Sequence, residues 1–187
     1  MGRIEQLVEN YARFVALPWE QNLAGAQRVW FAVYDKSDER RLRIRLGEFE
    51  LETKTAQHAW KLIDVSGAFA EWMAAVEHRE SFFQAPDDLE LTMSRYFLDF
   101  VSAKVKSALD DEAVDANAVV AVHGISCLFG LIKVSDLISA VESSIRGRLL
   151  VFFPGEYESN NYRLLDARDG WNYLAVPIAA REGVHGS

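Results

Sequence analysis

Short runs rich in β-branched and aromatic residues alternate along this chain with helical stretches, and that alternation restricts the folds open to it more than any other feature. Arg28–Tyr34 (RVWFAVY), Trp60–Val65 (WKLIDV), Ala118–Val122 and Leu149–Phe153 are each compact, with the composition of strands. Ala118–Val122 is apolar at every position, as expected of a strand covered on both faces of a parallel sheet. Between these runs the apolar residues recur at three- and four-residue intervals. Strands that alternate with amphipathic helices predict a three-layer, mostly parallel α/β sheet flanked by helices, with right-handed crossovers. With 187 residues and 50% hydrophobic content, one core can bury roughly two-thirds or more of the unfolded surface. A single domain over 1–187 is therefore expected, with 181–187 as a loose tail.

Ile4, Leu7, Val8, Tyr11, Phe14 and Val15 mark a first amphipathic helix that stops before Pro18. Asp35, Ser37 and Asp38 are helix-start signals after the first strand, and Leu42, Leu46, Phe49 and Thr53 form one stripe of the helix that follows. Ser66 reads as the cap of a helix carrying Phe69, Trp72, Met73 and Val76. Pro86 with Asp87 restarts a longer helix, with Leu89, Met93, Tyr96, Phe97, Phe100, Val101 and Val105 inward. Asp110–Asn117 reads as an acidic loop, and ISCLFGLIKV is open between a buried short helix and a loop over the sheet edge. Ser135-Asp136 caps a helix with Leu137, Ile138, Val141 and Ile145 inward, closed by Gly147. In the last third, Pro154-Gly155 is expected to break the apolar run into a polar loop. Trp171–Ile178 then reads as the final strand, with Leu164-Leu165 a short strand between.

Twenty Lys and Arg against 28 Asp and Glu leave a formal charge of −8, which argues against direct DNA binding, because that affinity depends on basic side chains releasing counterions from phosphates. A single cysteine, Cys127, allows no internal disulfide and suits a reducing, cytoplasmic compartment. MGRIEQLVEN lacks the continuous apolar region of a secretory signal, and no run approaches the ~20 apolar residues that span a bilayer.

Ligands of open α/β sheets bind beyond the carboxyl ends of the strands, which directs attention to Tyr34-Asp35, Asp64, Ser66, His123-Gly124 and Pro154 through Tyr157. Asp35 and His123, with Glu156, would form a strand-end cleft able to take a nucleotide or nucleic acid. Asp35 and Ser66 are equally explained as caps, and His123 as a hydrogen-bonded structural imidazole. Nothing matches G-x-x-x-x-G-K-[ST]; after the first strand stands YDKSDE, so a sheet resembling a P-loop NTPase core would be one without the P-loop. GISCL departs from the G-x-S-x-G nucleophile elbow at its last position, which makes a hydrolase using Ser126 the lesser reading and Cys127 a small core residue. His58, His78, His123 and His185 show no metal-ligand spacing, so neither metal nor other cofactor is expected. Arg40, Arg41, Arg43 and Arg45, followed by Glu48, Glu50 and Glu52, read as a self-neutralised helix face that could also dock protein. The segment PGEYESNNYRLLDARDGWNY mixes tyrosines and Trp171 with arginines, a composition enriched at interfaces. Glu156, Tyr157, Asn160, Asn161, Arg163, Arg168, Asp169 and Trp171 are its candidate partner-binding residues.

LPWEQNL, RVWFAVYDKSDERRLRIRLGEFELETK, VVAVHGISCLFGLIKVSDLISAVE and above all RGRLLVFFPGEYESNNYRLLDARDGWNYLAVPI resemble the BrxB family of bacterial BREX phage-defence systems, from about Tyr11 to Ile178. The resemblance implies a small cytoplasmic accessory protein with no established enzymatic activity, needed for defence and assembled with other BREX proteins, foremost the alkaline-phosphatase-like PglZ. The family has no agreed catalytic residues to carry over.

Overall fold

The computed structural model describes residues 2–77, 80, 84, 93–166 and 171–180. Five strands run parallel in the order β2-β3-β4-β1-β7: β1 Val29–Tyr34, β2 Ala59–Asp64, β3 Ala118–His123, β4 Arg148–Glu158 and β7 Val176–Ala179. Period-two alternation sends the two sides of each strand into different cores. Trp30, Ala32, Tyr34, Val119, Ala121, Leu150 and Phe152 pack under helices α1 (Arg3–Val15) and α2 (Glu39–Thr55), which contribute Leu7, Tyr11, Leu42 and Phe49. Val29, Phe31, Val33, Val120, Val122, Val151 and Phe153 face α3 (Ala68–Ala75), α4 (Leu98–Leu109) and α5 (Val134–Val141). The expected three-layer α/β architecture is what forms. No described helix is long and apolar enough to cross a membrane.

The largest departure from the sequence reading lies at Pro154-Gly155, which does not end the strand. β4 continues unbroken to Glu158 and exchanges its parallel neighbours for an antiparallel one, β5 (Asn161–Leu164), which pairs in turn with β6 (Trp171–Asn172). Proline is tolerated because it stands where β4 leaves the sheet, its carbonyl accepting from Leu165 N at 2.9 Å. Gly155 is required there: a β carbon would lie 2.0 Å from the carbonyl oxygen of Arg163. Trp171–Ile178 is accordingly two strands, β6 and β7, rather than one.

Smaller differences have local causes. Ser66 does not cap α3, which starts after Gly67; its amide instead donates to Asp64 Oδ1 at 2.8 Å. α5 begins at Val134 with Lys133 at the cap position, so Ser135 and Asp136 lie inside its first turn. It ends at Val141, and Gly147 serves instead to let the chain pass Ala118, whose carbonyl oxygen would be 2.1 Å from an added β carbon. A π-helical turn, Met93–Phe97, precedes α4 and shifts the phase, so Tyr96 is exposed while Phe97 is fully buried. ISCLFGLIKV begins as a 3-10 turn over Ile125–Leu128 that buries Ile125 and Leu128 and leaves Cys127 exposed, not in the core. Pro86, Asp87 and Leu89 lie outside the described residues.

Candidate functional site

Strand alternation places Tyr34, Asp64 and His123, the last residues of β1, β2 and β3, under the first two turns of α2. His123 is 3% exposed, and its Nε2 lies 3.1 Å from Glu39 Oε1. The other ring nitrogen is 3.7 Å from Asp64 Oδ1. Tyr34 donates its hydroxyl to Glu39 Oε2, and Arg43 Nε donates to Glu39 Oε1 at 3.0 Å. One carboxylate thus collects a phenol, a guanidinium and an imidazole. Gly124, at φ +92°, makes the exit from β3 possible, since a β carbon there would stand 2.5 Å from Ser66 N.

Burial opposes ionisation of Glu39, but the hydrogen bonds from Tyr34 and Arg43, together with His123, outweigh it and hold the carboxyl below its ordinary range. Asp64 is lowered in the same way: burial is overcome by the Ser66 hydroxyl and amide and by the nearby His123 and Arg43. The Tyr34 hydroxyl is pushed far up by burial and then by the Glu39 charge, so it acts as a donor. Glu39 thus holds His123 on one side by a hydrogen bond, while Asp64 stands near its other nitrogen without bonding it.

Asp35 does not join it. Its carboxylate accepts from Ser37 N at 2.8 Å and Ser37 Oγ at 2.6 Å, capping the 3-10 turn Lys36–Asp38, and meets Arg3 at 3.4 Å. Asp35 and Tyr34 line a cleft of about 120 Å³ with Arg3, Asp38 and Gly155, whereas His123 lies outside it. Glu156 stands on the β4–β5 arm, so the three residues expected to share one cleft are dispersed. Asp38 and Glu39 add carboxylates where a phosphate-binding loop would offer bare amides, and Asp38 is held by Arg3 at 2.8 Å and Arg41 at 3.3 Å. Ser126 is half-buried in the turn after β3, and no hydrogen bond joins it to His123 among the described residues. Among those residues no cluster of three His, Cys, Asp or Glu could hold a metal.

The arm has two distinct faces. Tyr162 and Leu164 point inward: Tyr162 is fully buried, T-shaped against Phe31 at 4.5 Å, and donates to Ala175 O at 2.6 Å. Tyr157 is half-buried on Tyr162 and donates to Asn160 Oδ1 at 3.0 Å. The opposite face is polar. Glu156 pairs in register with Arg163, 3.8 Å apart, and Glu158 with Asn161; with Ser159 they line a cavity of about 190 Å³. Asn160 and Asn161 are exposed, and the turn holds Ser159 and Asn160 at φ +51° and +63°, a left-handed pair that matches the twist of a tight hairpin. Arg168 and Asp169 lie outside the described residues, and Trp171 is described only through its backbone pairing with Tyr162.

The sequence reading singled out His123 and Asp64, missed Glu39, and placed Arg43 only on the arginine face of the helix rather than beside His123. The signal was an i,i+4 acid–arginine pair at the start of a helix that directly follows a strand. Comparison of the chain with protein-family models, curated proteins and solved structures finds no match.

Proposed function

We propose that the chain is a non-enzymatic assembly component of a BREX anti-phage system, acting in the cytoplasm and docking other BREX proteins, PglZ foremost, through the β4–β5 arm. The observation that carries the docking role is the arm itself. A strand-paired extension of a central strand, anchored by Tyr162 in the core, holds Glu156, Glu158, Asn161 and Arg163 on an outer face with few partners of its own. Fixing the backbone beforehand lowers the ordering entropy a partner must overcome on binding. The specific system rests on the resemblance carried by PGEYESNNYRLLDARDGWNYLAVPI. The His123 array supports a structural role, since both carboxylate oxygens of Glu39 are already taken by Tyr34, Arg43 and His123.

The test is co-purification of the tagged chain with PglZ from the same defence cluster, repeated with Glu156→Ala, Glu158→Ala and Arg163→Ala combined. All three sites are solvent-facing, so the variant folds. Loss of PglZ recovery and of phage protection together is expected; retention of both removes the arm from the assembly. Thermal-shift titration with ATP, GTP and short DNA is expected to show no change, and a saturable shift would favour a nucleotide- or nucleic-acid-binding role instead.

A further inference from the structure

α2 buries Leu42, Phe49 and Thr53 against the sheet, yet its opposite side is not uniformly polar. Ile44 and Leu51, seven residues apart, are 77% and 61% exposed. With Arg40 and Gly47 they form a single stripe at heptad spacing. A β carbon at Gly47 would meet nothing within 4 Å, so the middle of the stripe is open backbone between two aliphatic side chains. Ile44 also borders a groove of about 470 Å³ between the starts of α1 and α2, with room for side chains from outside.

Charge along the helix selects what fits there. Arg40, Arg41, Arg43 and Arg45 with Glu39 leave the first half net positive, and Glu48, Glu50 and Glu52 with Lys54 leave the second net negative, although Arg41, Arg43, Arg45 and Glu50 already pair within the chain. A parallel copy would set arginines beside arginines. An antiparallel copy, its two-fold axis near Gly47 and Glu48, sets each arginine half beside a glutamate half and brings Ile44 against Leu51 of the second chain. Neither Arg40 nor Glu52 has an ion pair among the described residues, which leaves both free for such contacts. We propose that α2 pairs antiparallel with α2 of a second copy of this chain through the Ile44–Gly47–Leu51 stripe, giving a two-fold symmetric dimer. One residue set serves both sides of such an interface, as isologous contact requires.

Sedimentation velocity on the full chain, up to on the order of 100 µM, is expected to show a reversible monomer–dimer equilibrium that weakens with salt. Ile44→Glu and Leu51→Glu are expected each to weaken it about tenfold or more with unchanged circular dichroism, both positions being exposed. Orientation is read by cross-linking in a Cys127→Ser background. The double variant Ile44→Cys/Leu51→Cys is expected to form a disulfide-linked dimer. Neither single variant should, because equivalent positions would sit roughly 10 Å apart along antiparallel helices. A monomer at the highest concentration, a dimer indifferent to both glutamates, or single cysteines that cross-link as readily as the pair would each overturn the proposal.

Discussion

Gly155→Ala separates a built arm from a flexible loop, because the two predict opposite signs. Gly155 does not have a left-handed φ, so in a free loop alanine would be neutral, or stabilising by about 0.4–1 kcal/mol through the unfolded chain. In the arm its β carbon would stand 2.0 Å from the Arg163 carbonyl oxygen and 2.9 Å from the Phe153 ring. Carbon and oxygen settle at about 3.3 Å or more, so β4 and β5 must part by more than about 1 Å. Such overpacking costs roughly 1–3 kcal/mol, and weakening the 2.9 Å bond from Leu165 N to Pro154 O adds about 1 kcal/mol. Net destabilisation of roughly 1–3 kcal/mol is expected, a fall in Tm of about 3–10 °C for a chain of this size. Differential scanning calorimetry measures it. An unchanged or raised Tm would refute the arm's close packing.

Replacing Glu39 by glutamine turns one acceptor oxygen into a donor facing donors, and a loss of about 1–3 kcal/mol is expected in urea unfolding. Glu39 and Asp64 both titrate lower in the folded chain than unfolded, so their stabilisation is full above about pH 4.5 and disappears as pH falls through their folded values. Urea midpoints taken from pH 7 down to about pH 3 are expected to fall less steeply in Glu39→Gln than in the parent chain. Tyr162→Phe keeps the ring but removes the donor to Ala175 O, and is expected to lose about 1–2 kcal/mol in the same assay. Cys127, exposed in the turn after β3, is expected to react fully with a thiol reagent without denaturant.

The layered fold was legible because burial leaves a local signature: strands covered on both faces are apolar throughout, and the helices over them are striped. The arm was not, because Pro154-Gly155 carries the same local signal whether it ends a strand or lets one change partners. What decides between these is the fit of Gly155 against Arg163, a contact between strands that no local pattern encodes. Strand ends drew attention to Tyr34, Asp64 and His123, but Glu39 joins them only when α2 folds back over β3, 84 positions away in the chain. Tyr96 was misplaced because a π turn breaks the helical phase from which its orientation was inferred. Asp35 read correctly as a cap, since an aspartate bonding the amide two residues on is a wholly local interaction.

Amide hydrogen exchange on the chain alone and in complex with PglZ tests the central claim most directly. The account predicts slowed exchange concentrated in Gly155–Leu164 on complex formation. A stable complex that leaves those amides unchanged, with protection elsewhere, would contradict it.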